Sequence, residues 1–267
     1  MKQYLSFFKL KFTIGLQYRA AALAGMSTQL FFGFVFILVY TAFYKSGTGN
    51  TNMSLEELTS YLWLNQAFFA MIYVYHKDNE IINMIKKGDI AYELCRPQNL
   101  YFMWFIRILS SKLSSVTLRC LPIIIISLLL PKPFNLNLPI SIGAFILFII
   151  LLFLSVLLIS ALITLMYIIC FYTIDTKGTM SIFCGIADIL SGQTVPIPLF
   201  PKALQIIAEF LPFAYISDFA FRVYSGNIQG ISILKGLSTE LFWLILIITI
   251  GLFLSNKIIK KVSVQGG

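Results

Sequence analysis

The sequence predicts an all-α, polytopic membrane protein, and three observations support this class. Residues 20–44 carry no charge, and a helix of that length, roughly 37 Å, can cross a hydrocarbon core of about 30 Å. Similar apolar stretches recur to the end of the 267-residue chain. Charged residues make up only 12% of the sequence, against about 25% in soluble domains. The loops are therefore short, and residues 1–267 are expected to form a single transmembrane domain.

Six apolar stretches predict six membrane-spanning helices. They cover about 20–44, 58–76, 100–130, 140–172, 179–191 and 237–256. If the N-terminus is cytoplasmic, six crossings place most lysines and arginines on the inner side, in agreement with the positive-inside rule. Without a crossing at 179–191, the basic C-terminus would lie outside. The charges therefore favour six spans with both termini in the cytoplasm.

A moderately amphipathic helix is expected over residues 2–18, before the first span. Its polar stripe consists of Lys2, Ser6, Lys9, Thr13 and Gln17. Its apolar side consists of Leu5, Phe8, Phe12 and Leu16. Lys11 and Arg19 depart from this pattern. A helix of this kind can lie in the membrane interface, so we expect an interfacial N-terminal helix.

The densest charged stretch follows the second span, on the expected cytoplasmic side. Asp78 can cap a short helix, NEIINMIKK, because its carboxylate can accept hydrogen bonds from the first free backbone N–H groups. The other local signals are Lys86 and Lys87 at the negative end of the dipole and Gly88 at the terminating position. The apolar face consists of Ile81, Ile82 and Ile85. The helix is either a docking element for a soluble partner or a solvated loop helix whose apolar face rests on the membrane.

The fifth apolar stretch ends in SGQTVPIPLFP, residues 191–201. Pro196, Pro198 and Pro201 cannot continue a helix. Irregular backbone at membrane depth persists only where it is buried in protein or lines a wet cavity. Together with Ser191 and Gly192, these prolines therefore indicate either a re-entrant element on the outer side or an ordinary external loop after a short span.

Asp188 lies in an otherwise apolar run, and an ionisable residue within a span is by default a functional candidate. Three roles stay open for it: lining a substrate path, pairing with a basic group such as Arg119, or being hydrated near the outer interface. Gln193, in the polar break that follows, is the second candidate for a substrate path. Snorkelling or pairing is the favoured role for Arg119.

The sequence contains no motif for bond chemistry. It has no GxxxxGK[ST], HExxH or GxSxG, so the chain itself is not expected to be an enzyme or to bind a cofactor. The four cysteines, Cys95, Cys120, Cys170 and Cys184, include no CxxC pair, which argues against a metal site. His76 at a span end is interpreted as an interfacial anchor. The net charge of +9 follows membrane topology, so nucleic acid is not an expected partner.

Four segments occur in a characteristic order. They are GDIAYELCRPQNLYFMWFIR at 88–107, SGQTVPIPLFP at 191–201, LPFAYISDFAFRVYSG at 211–226 and the VQGG tail. In these segments, and over nearly its whole length, the chain resembles the permease subunits of type-2 ATP-binding-cassette exporters, especially a bacterial subgroup. The resemblance implies six spans, a connecting helix over 2–18, a coupling helix over 78–89 and an outer re-entrant hairpin over 192–213.

The resemblance also implies partners. A separate P-loop ATPase subunit, which carries ATP and Mg²⁺, would dock on the coupling helix. A second permease chain, identical or similar, would complete the pathway in the bacterial plasma membrane, surrounded by lipid. The coupling residues would be Asp78, Ile81, Ile82, Ile85, Lys86, Lys87, Gly88 and Asp89.

Three other functions are weighed against this one. An ion-coupled secondary transporter usually needs several intramembrane carboxylates, and Asp188 is the one clear candidate in the sequence. A membrane-embedded enzyme would need a cluster of catalytic polar groups at one depth, and the sequence shows none. A non-transporting membrane subunit of the same complex stays open.

Overall fold

The computed structural model describes residues 2–47, 52–75, 77–87, 93, 98–173 and 176–259. Over these ranges the chain is helical apart from turns and bends, and no strand occurs among them. From the N-terminus, the helices are α1 (Lys2–Leu16), α2 (Arg19–Lys45), α3 (Leu55–Ile72), α4 (Asn79–Lys87) and α5 (Leu100–Leu129). The later helices are α6 (Ile142–Thr173), α7 (Thr176–Leu190), α8 (Lys202–Phe210), α9 (Asp218–Ser225) and α10 (Ile231–Ile259).

Four of these helices, α2, α5, α6 and α10, are long and apolar enough to cross a membrane. They coincide with four of the expected spans and are candidate spans by length and composition. The last helix begins at Ile231, before the predicted start at 237. Lys235 is exposed on one side of this helix and does not interrupt its backbone hydrogen bonds. The charge therefore marks where the apolar run begins, whereas the helix itself begins earlier.

The central helix is α6, which packs against α10, α5, α9 and α7. Its sequence is apolar around its whole circumference, as is typical of a helix buried on all sides. Buried side chains occur on it from Phe148 to Cys170. The remaining helices are arranged around this axis.

α3 begins with the capping box Ser54–Glu57, in which the Glu57 side chain accepts from the Ser54 N–H at 2.7 Å. It ends at Ile72, four residues before the predicted end of the second span. Polar residues such as Asn65 are buried on it, because α5, α2 and α9 pack around it. This explains a sequence that is less apolar than that of a lipid-facing span.

α1 runs alongside the first half of α5. Near its start, the Tyr4 hydroxyl accepts a hydrogen bond from the Asn99 N–H at 3.2 Å. Near its end, Gly15 lies so close to Ser114 that no Cβ would fit between them. None of its residues is buried. The helix ends at Leu16, two residues before the predicted end at 18. It contacts α5 along its length without being buried by it.

The chain between α7 and α10 is folded into short elements. α7 ends at Leu190, and Gly192 follows with φ of +75°, a conformation that favours glycine. A 3₁₀ turn at Ile197–Leu199, helix α8, a second 3₁₀ turn at Pro212–Ile216 and helix α9 come next. The helix thus ends before the first proline, and the prolines fall in the irregular segment that follows, as predicted. Pro196 and Pro201 stand immediately before the first turn and α8.

Candidate functional site

The helix predicted in the charged stretch is present as α4 (Asn79–Lys87), and its predicted cap is confirmed. Asp78 Oδ1 accepts hydrogen bonds from the backbone N–H of Glu80 at 3.0 Å and of Ile81 at 3.2 Å. These bonds satisfy the first free donors of the helix. Gly88 and Asp89, the last two predicted coupling residues, lie outside the described residues, and so does His76.

The apolar face of α4 is buried within the protein. Ile81 is fully buried, and Ile82 and Ile85 are each 9% exposed. α4 packs against α6, where the hydroxyl of Tyr167 accepts from the Asp78 N–H at 2.9 Å. The alternative in which this face rests on the membrane is therefore wrong, because the C-terminal part of α6 supplies the apolar surface. The three isoleucines anchor the helix, and its other side is exposed.

An ion network joins α4 to two other helices. Arg107 of α5 donates through Nη2 to Asp78 Oδ1 at 3.0 Å, and it also pairs with Glu80. Lys11 of α1 lies 3.7 Å from Glu80. The side chains of Arg107 and Asp78 are 13% and 12% exposed. α1, α4 and α5 are therefore linked by charge at one end of the bundle.

Sequence reasoning did not single out Arg107 as a partner of Asp78. Asp78 and Arg107 are 29 positions apart, so no local spacing signals the pair. Lys112 is also buried: its side chain is 4% exposed, and Nζ donates to the Tyr73 carbonyl. The packing of α3 against α5 buries it.

A second polar cluster lies where the broken chain meets α3. The Tyr61 hydroxyl is 2.9 Å from Asp218 Oδ1 and 3.0 Å from the carbonyl oxygen of Gly192. The same carboxylate oxygen accepts from the Ile197 N–H at 3.2 Å, and Ser217 donates to the Ser191 carbonyl at 3.0 Å. Asp218 is 1% exposed. Ser191 and Gly192, which were predicted to belong to an outer hairpin or loop, therefore form one buried cluster with Asp218. The sequence analysis did not single out Asp218.

Arg222 extends this cluster towards the surface. Its Nη1 lies 2.8 Å from Glu209 Oε1 and 3.4 Å from Asp218 Oδ2, and its Nε donates to Asn227 Oδ1 at 2.9 Å. Burial raises the pKa of the Asp218 carboxyl above its ordinary value, and the positive charge of Arg222 only partly offsets this effect. One arginine thus holds two carboxylates from α8 and α9.

The two residues predicted for a substrate path do not share a partner. Asn65 of α3 donates to the Gln193 carbonyl at 2.9 Å, and the Gln193 side chain donates to the Ile72 carbonyl. Asp188 Oδ1 is buried without a hydrogen-bond partner in the described part of the chain. No ion pair joins it to Arg119 among the described residues, and the Arg119 guanidinium lies instead against Gly25 of α2.

Glu240 is a buried carboxylate that sequence reasoning missed. It lies on α10 with no exposed surface, and its Oε1 is 3.3 Å from the Ser155 hydroxyl of α6. Its Oε2 is buried and has no partner within the described ranges. The signal in the sequence is a single glutamate in the run LSTELFWLI.

The two polar regions contact α6 near its opposite ends. In the α4 region, the Tyr167 hydroxyl of α6 accepts a hydrogen bond from the Asp78 N–H. Phe148 packs on Tyr224 of α9, with ring centroids 5.0 Å apart. From Phe148 to Tyr167 the helix rises roughly 28 Å, about the thickness of a bilayer core. These two contact points on α6, at Tyr167 and at Phe148, are therefore separated by about the thickness of a bilayer core.

Long apolar helices around a buried central one define a multi-pass membrane protein. A family model described as "ABC-2 family transporter protein" matches residues 30–266. The chain therefore belongs to the ABC-2 family of transporter membrane proteins, and it is a membrane transport component that is not itself catalytic. No curated protein matches the sequence significantly.

Proposed function

We propose that this chain is the permease subunit of an ATP-driven exporter and that α4 is its coupling helix. The observation that carries the proposal is the way α4 is held. Its isoleucine face is buried, its cap residue is paired with Arg107, and its exposed side chains are Asn79, Glu80, Asn83 and Lys86. A short helix whose apolar face is anchored in the protein and whose polar face is exposed is suited to docking a soluble subunit. Membership of the ABC-2 family supports an ATPase as that subunit.

Motion imposed on α4 would reach the bundle through three contacts. Asp78 and Glu80 pair with Arg107 of α5, and Lys11 links Glu80 to α1. Tyr167 connects the cap to α6. Because these contacts lead to two candidate spans and to the N-terminal helix, closure of two ATPases on ATP would tilt the bundle as a unit. ATP and Mg²⁺ belong to the ATPase subunits in this proposal.

In this proposal, the topology has six spans and both termini in the cytoplasm of a bacterial plasma membrane. α3, with 18 residues, and α7, with 15, join the four longer helices. α7 measures only about 22 Å, less than the hydrocarbon core. The short elements from 192 to 213 complete its path as a re-entrant hairpin on the outer side. α1 is the connecting helix at the inner interface.

Two permease chains, identical or similar, would enclose the pathway between them. Asp188 supports this arrangement, because its Oδ1 is without a hydrogen-bond partner in the described part of the chain. Ile182, Ile186 and Ile189 of the same helix are exposed. A second chain would cover this face, and Asp188 with Gln193 would then border the path.

One observation favours a second function, that of an ion-coupled transporter. Glu240, on the candidate span α10, adds a buried carboxylate to Asp188 of the proposed fifth span α7, so the chain has two candidates for a proton relay. Transport driven by a proton gradient in vesicles without ATPase would establish that function. Transport that requires ATP and persists with an uncoupler would exclude it.

The experiment that tests the exporter proposal is a pull-down of the chain from its native membrane in mild detergent, followed by mass spectrometry. Wild type is expected to retain a P-loop ATPase in equal amount. Lys86→Glu reverses an exposed charge on α4 and is expected to lose most of it. Lys257→Glu, an exposed lysine near the inner end of α10, is the matched control. Full retention of the ATPase by Lys86→Glu would mean that α4 is not the docking element.

A further inference from the structure

A cavity of about 620 Å³ opens beside the buried Asp218 cluster. It lies between the hairpin elements on one side and the first turns of α10 on the other. The size is that of a typical small-molecule site. In the proposed topology this is the outer end of the bundle, since α10 starts at Ile231 and runs inward from there.

The cavity has a charge on each wall. On the hairpin side, Glu209 of α8 is bound through Oε1 to Arg222, while its side chain stays 51% exposed. Because Arg222 is shared with Asp218, these three side chains carry one formal negative charge in excess when both acids are ionised. On the α10 side, Lys235 lines the cavity and has no ion-pair partner among the described residues. The cavity is therefore dipolar.

Hydroxyl groups and an apolar floor complete it. Ser232 and Thr239 lie one turn before and after Lys235 on the same face of α10 and line the same wall. Gly236 lies against the ring of Phe219, which with Ala214 forms part of the floor. A charged head group would find hydrogen-bond partners along α10 and an apolar base beneath it.

An exposed aromatic edge adjoins the cavity. Phe210 follows Glu209 and is 72% exposed, and its carbonyl accepts from Trp243 Nε1 at 3.0 Å. The two rings pack edge to face at 6.4 Å. Phe242, 57% exposed, lies beside them. Trp243 is one turn beyond Thr239, so this edge is the deeper continuation of the cavity along α10.

We propose that the cavity binds the zwitterionic head group of a membrane amphiphile, with a primary ammonium against Glu209 and a phosphate against Lys235. The acyl chain lies along the aromatic edge of Phe210, Phe242 and Trp243. The charges on opposite walls match a head group that carries both signs, and the edge matches an apolar tail. The site rests on the outer placement of the cavity in the proposed topology, but its ligand binding requires no ATPase.

Quenching of Trp243 fluorescence by phosphatidylethanolamine with brominated acyl chains tests this site in purified protein. The other tryptophans, Trp63 and Trp104, are buried, and subtraction of a Trp243→Phe variant isolates the signal. Brominated phosphatidylethanolamine is expected to half-quench Trp243 at a lower mole fraction than phosphatidylcholine or phosphatidylglycerol with the same chains. Equal quenching by all three lipids would overturn the proposal, because it would indicate ordinary lipid contact.

Two variants separate the two ends of the head group. Lys235→Gln is expected to raise the half-quenching mole fraction of phosphatidylethanolamine by about tenfold, the typical effect of losing one charge-assisted hydrogen bond. Glu209→Gln is expected to abolish the preference for phosphatidylethanolamine over phosphatidylglycerol. Lys202→Gln and Glu56→Gln, exposed residues that do not line the cavity, are the matched controls. A Lys235→Gln protein that binds like these controls would contradict the assignment.

A measurement on wild type avoids any question of folding. Soluble glycerophosphoethanolamine is expected not to displace the brominated lipid at millimolar concentration, because it lacks the tail. Displacement by glycerophosphoethanolamine would mean that the site binds a free phosphoester instead of a lipid. That result would overturn the assignment of a membrane amphiphile as the ligand. If the ATPase pull-down fails while lipid binding holds, the exporter proposal is wrong and the site stands; the reverse result removes the site alone.

Discussion

Arg107 and Asp78 form a nearly buried ion pair between a long apolar helix and the cap of a short charged one. Nη2 of Arg107 lies 3.0 Å from Asp78 Oδ1, and Nε bonds the other oxygen. The same carboxylate caps α4. One side chain therefore fixes the end of α4 and ties it to α5, which makes the pair the most direct mechanical link between the proposed docking surface and the bundle.

Replacement of Arg107 is expected to damage both stability and coupling. Arg107→Ala leaves the Asp78 carboxylate with little solvent and no counter-ion, which typically lowers stability by about 3–5 kcal/mol. Arg107→Lys keeps the charge but loses the two-pronged geometry, so a smaller loss is expected. Thermal unfolding in detergent measures both variants. Equal melting temperatures for Arg107→Ala and wild type would show that the pair contributes nothing.

The two roles of Asp78 can be separated by comparing two substitutions. Asp78→Asn keeps an N-cap acceptor but removes the ion pair, whereas Asp78→Ala removes both. The additional loss of the cap is expected to make the alanine variant less stable than the asparagine variant by about 1 kcal/mol. Hydrogen exchange of the α4 amides reports the difference. Indistinguishable exchange in the two variants would show that capping by this side chain is unimportant.

Packing of α2 on α3 depends on the absence of a side chain at Gly33. A Cβ at this position would lie 2.6 Å from the ring of the fully buried Trp63. Gly33→Ala is therefore expected to lower stability by about 1–3 kcal/mol, although alanine favours a helix. Gly185→Ala on α7 is the matched control, because nothing lies within 4 Å of a Cβ there. Melting temperatures that rise equally in both variants would contradict this packing.

Docking of the hairpin elements is expected to weaken as pH rises. Burial raises the pKa of Asp218 above its ordinary value. At pH values between the ordinary pKa and the raised one, the native state therefore binds more protons than the unfolded chain. Stability then falls as pH rises from the ordinary pKa of an aspartate through the raised one. Asp218→Asn is expected to flatten this dependence. Limited proteolysis of the 192–213 segment as a function of pH measures it, and an identical pH profile in the variant would exclude Asp218 as the cause.

Glu240 distinguishes the exporter from an ion-coupled transporter. Glu240→Gln preserves the size and a hydrogen-bonding group beside Ser155 but cannot carry a proton. In the exporter account, ATP-dependent transport by this variant stays near the wild-type rate, because the residue is structural. Uptake into vesicles with ATP, and separately with a proton gradient, measures both modes. Loss of gradient-driven transport in Glu240→Gln alone would favour the second function.

Local signals were sufficient where a feature depends on neighbouring residues. The cap at Asp78, the helix Asn79–Lys87 and the proline break after Leu190 were all predicted, because capping and proline geometry act within a few residues. The four long apolar helices followed from length and composition. The start of the last helix was predicted too late, at 237 instead of Ile231, because Lys235 lies on an exposed side of a continuing helix.

Features that depend on distant parts of the chain could not be predicted. The isoleucine face of α4 was assigned to a partner or to the membrane, but the C-terminal part of α6 packs against this helix. Likewise, Tyr61 meets Asp218 across 157 positions, so no spacing could bring them together. Burial of Lys112 and Glu240 depends on which face of each helix packs inward, and an apolar run with a single charge does not reveal that face.

The central claim is that the exposed face of α4 contacts an ATPase. A photo-crosslinking amino acid at Asn83, which is exposed on that face, tests it in the native membrane. We expect a covalent product with a P-loop ATPase from Asn83 and none from the same group at Ile81, which is fully buried. No ATPase product from Asn83, under conditions in which the complex stays assembled, would contradict the account.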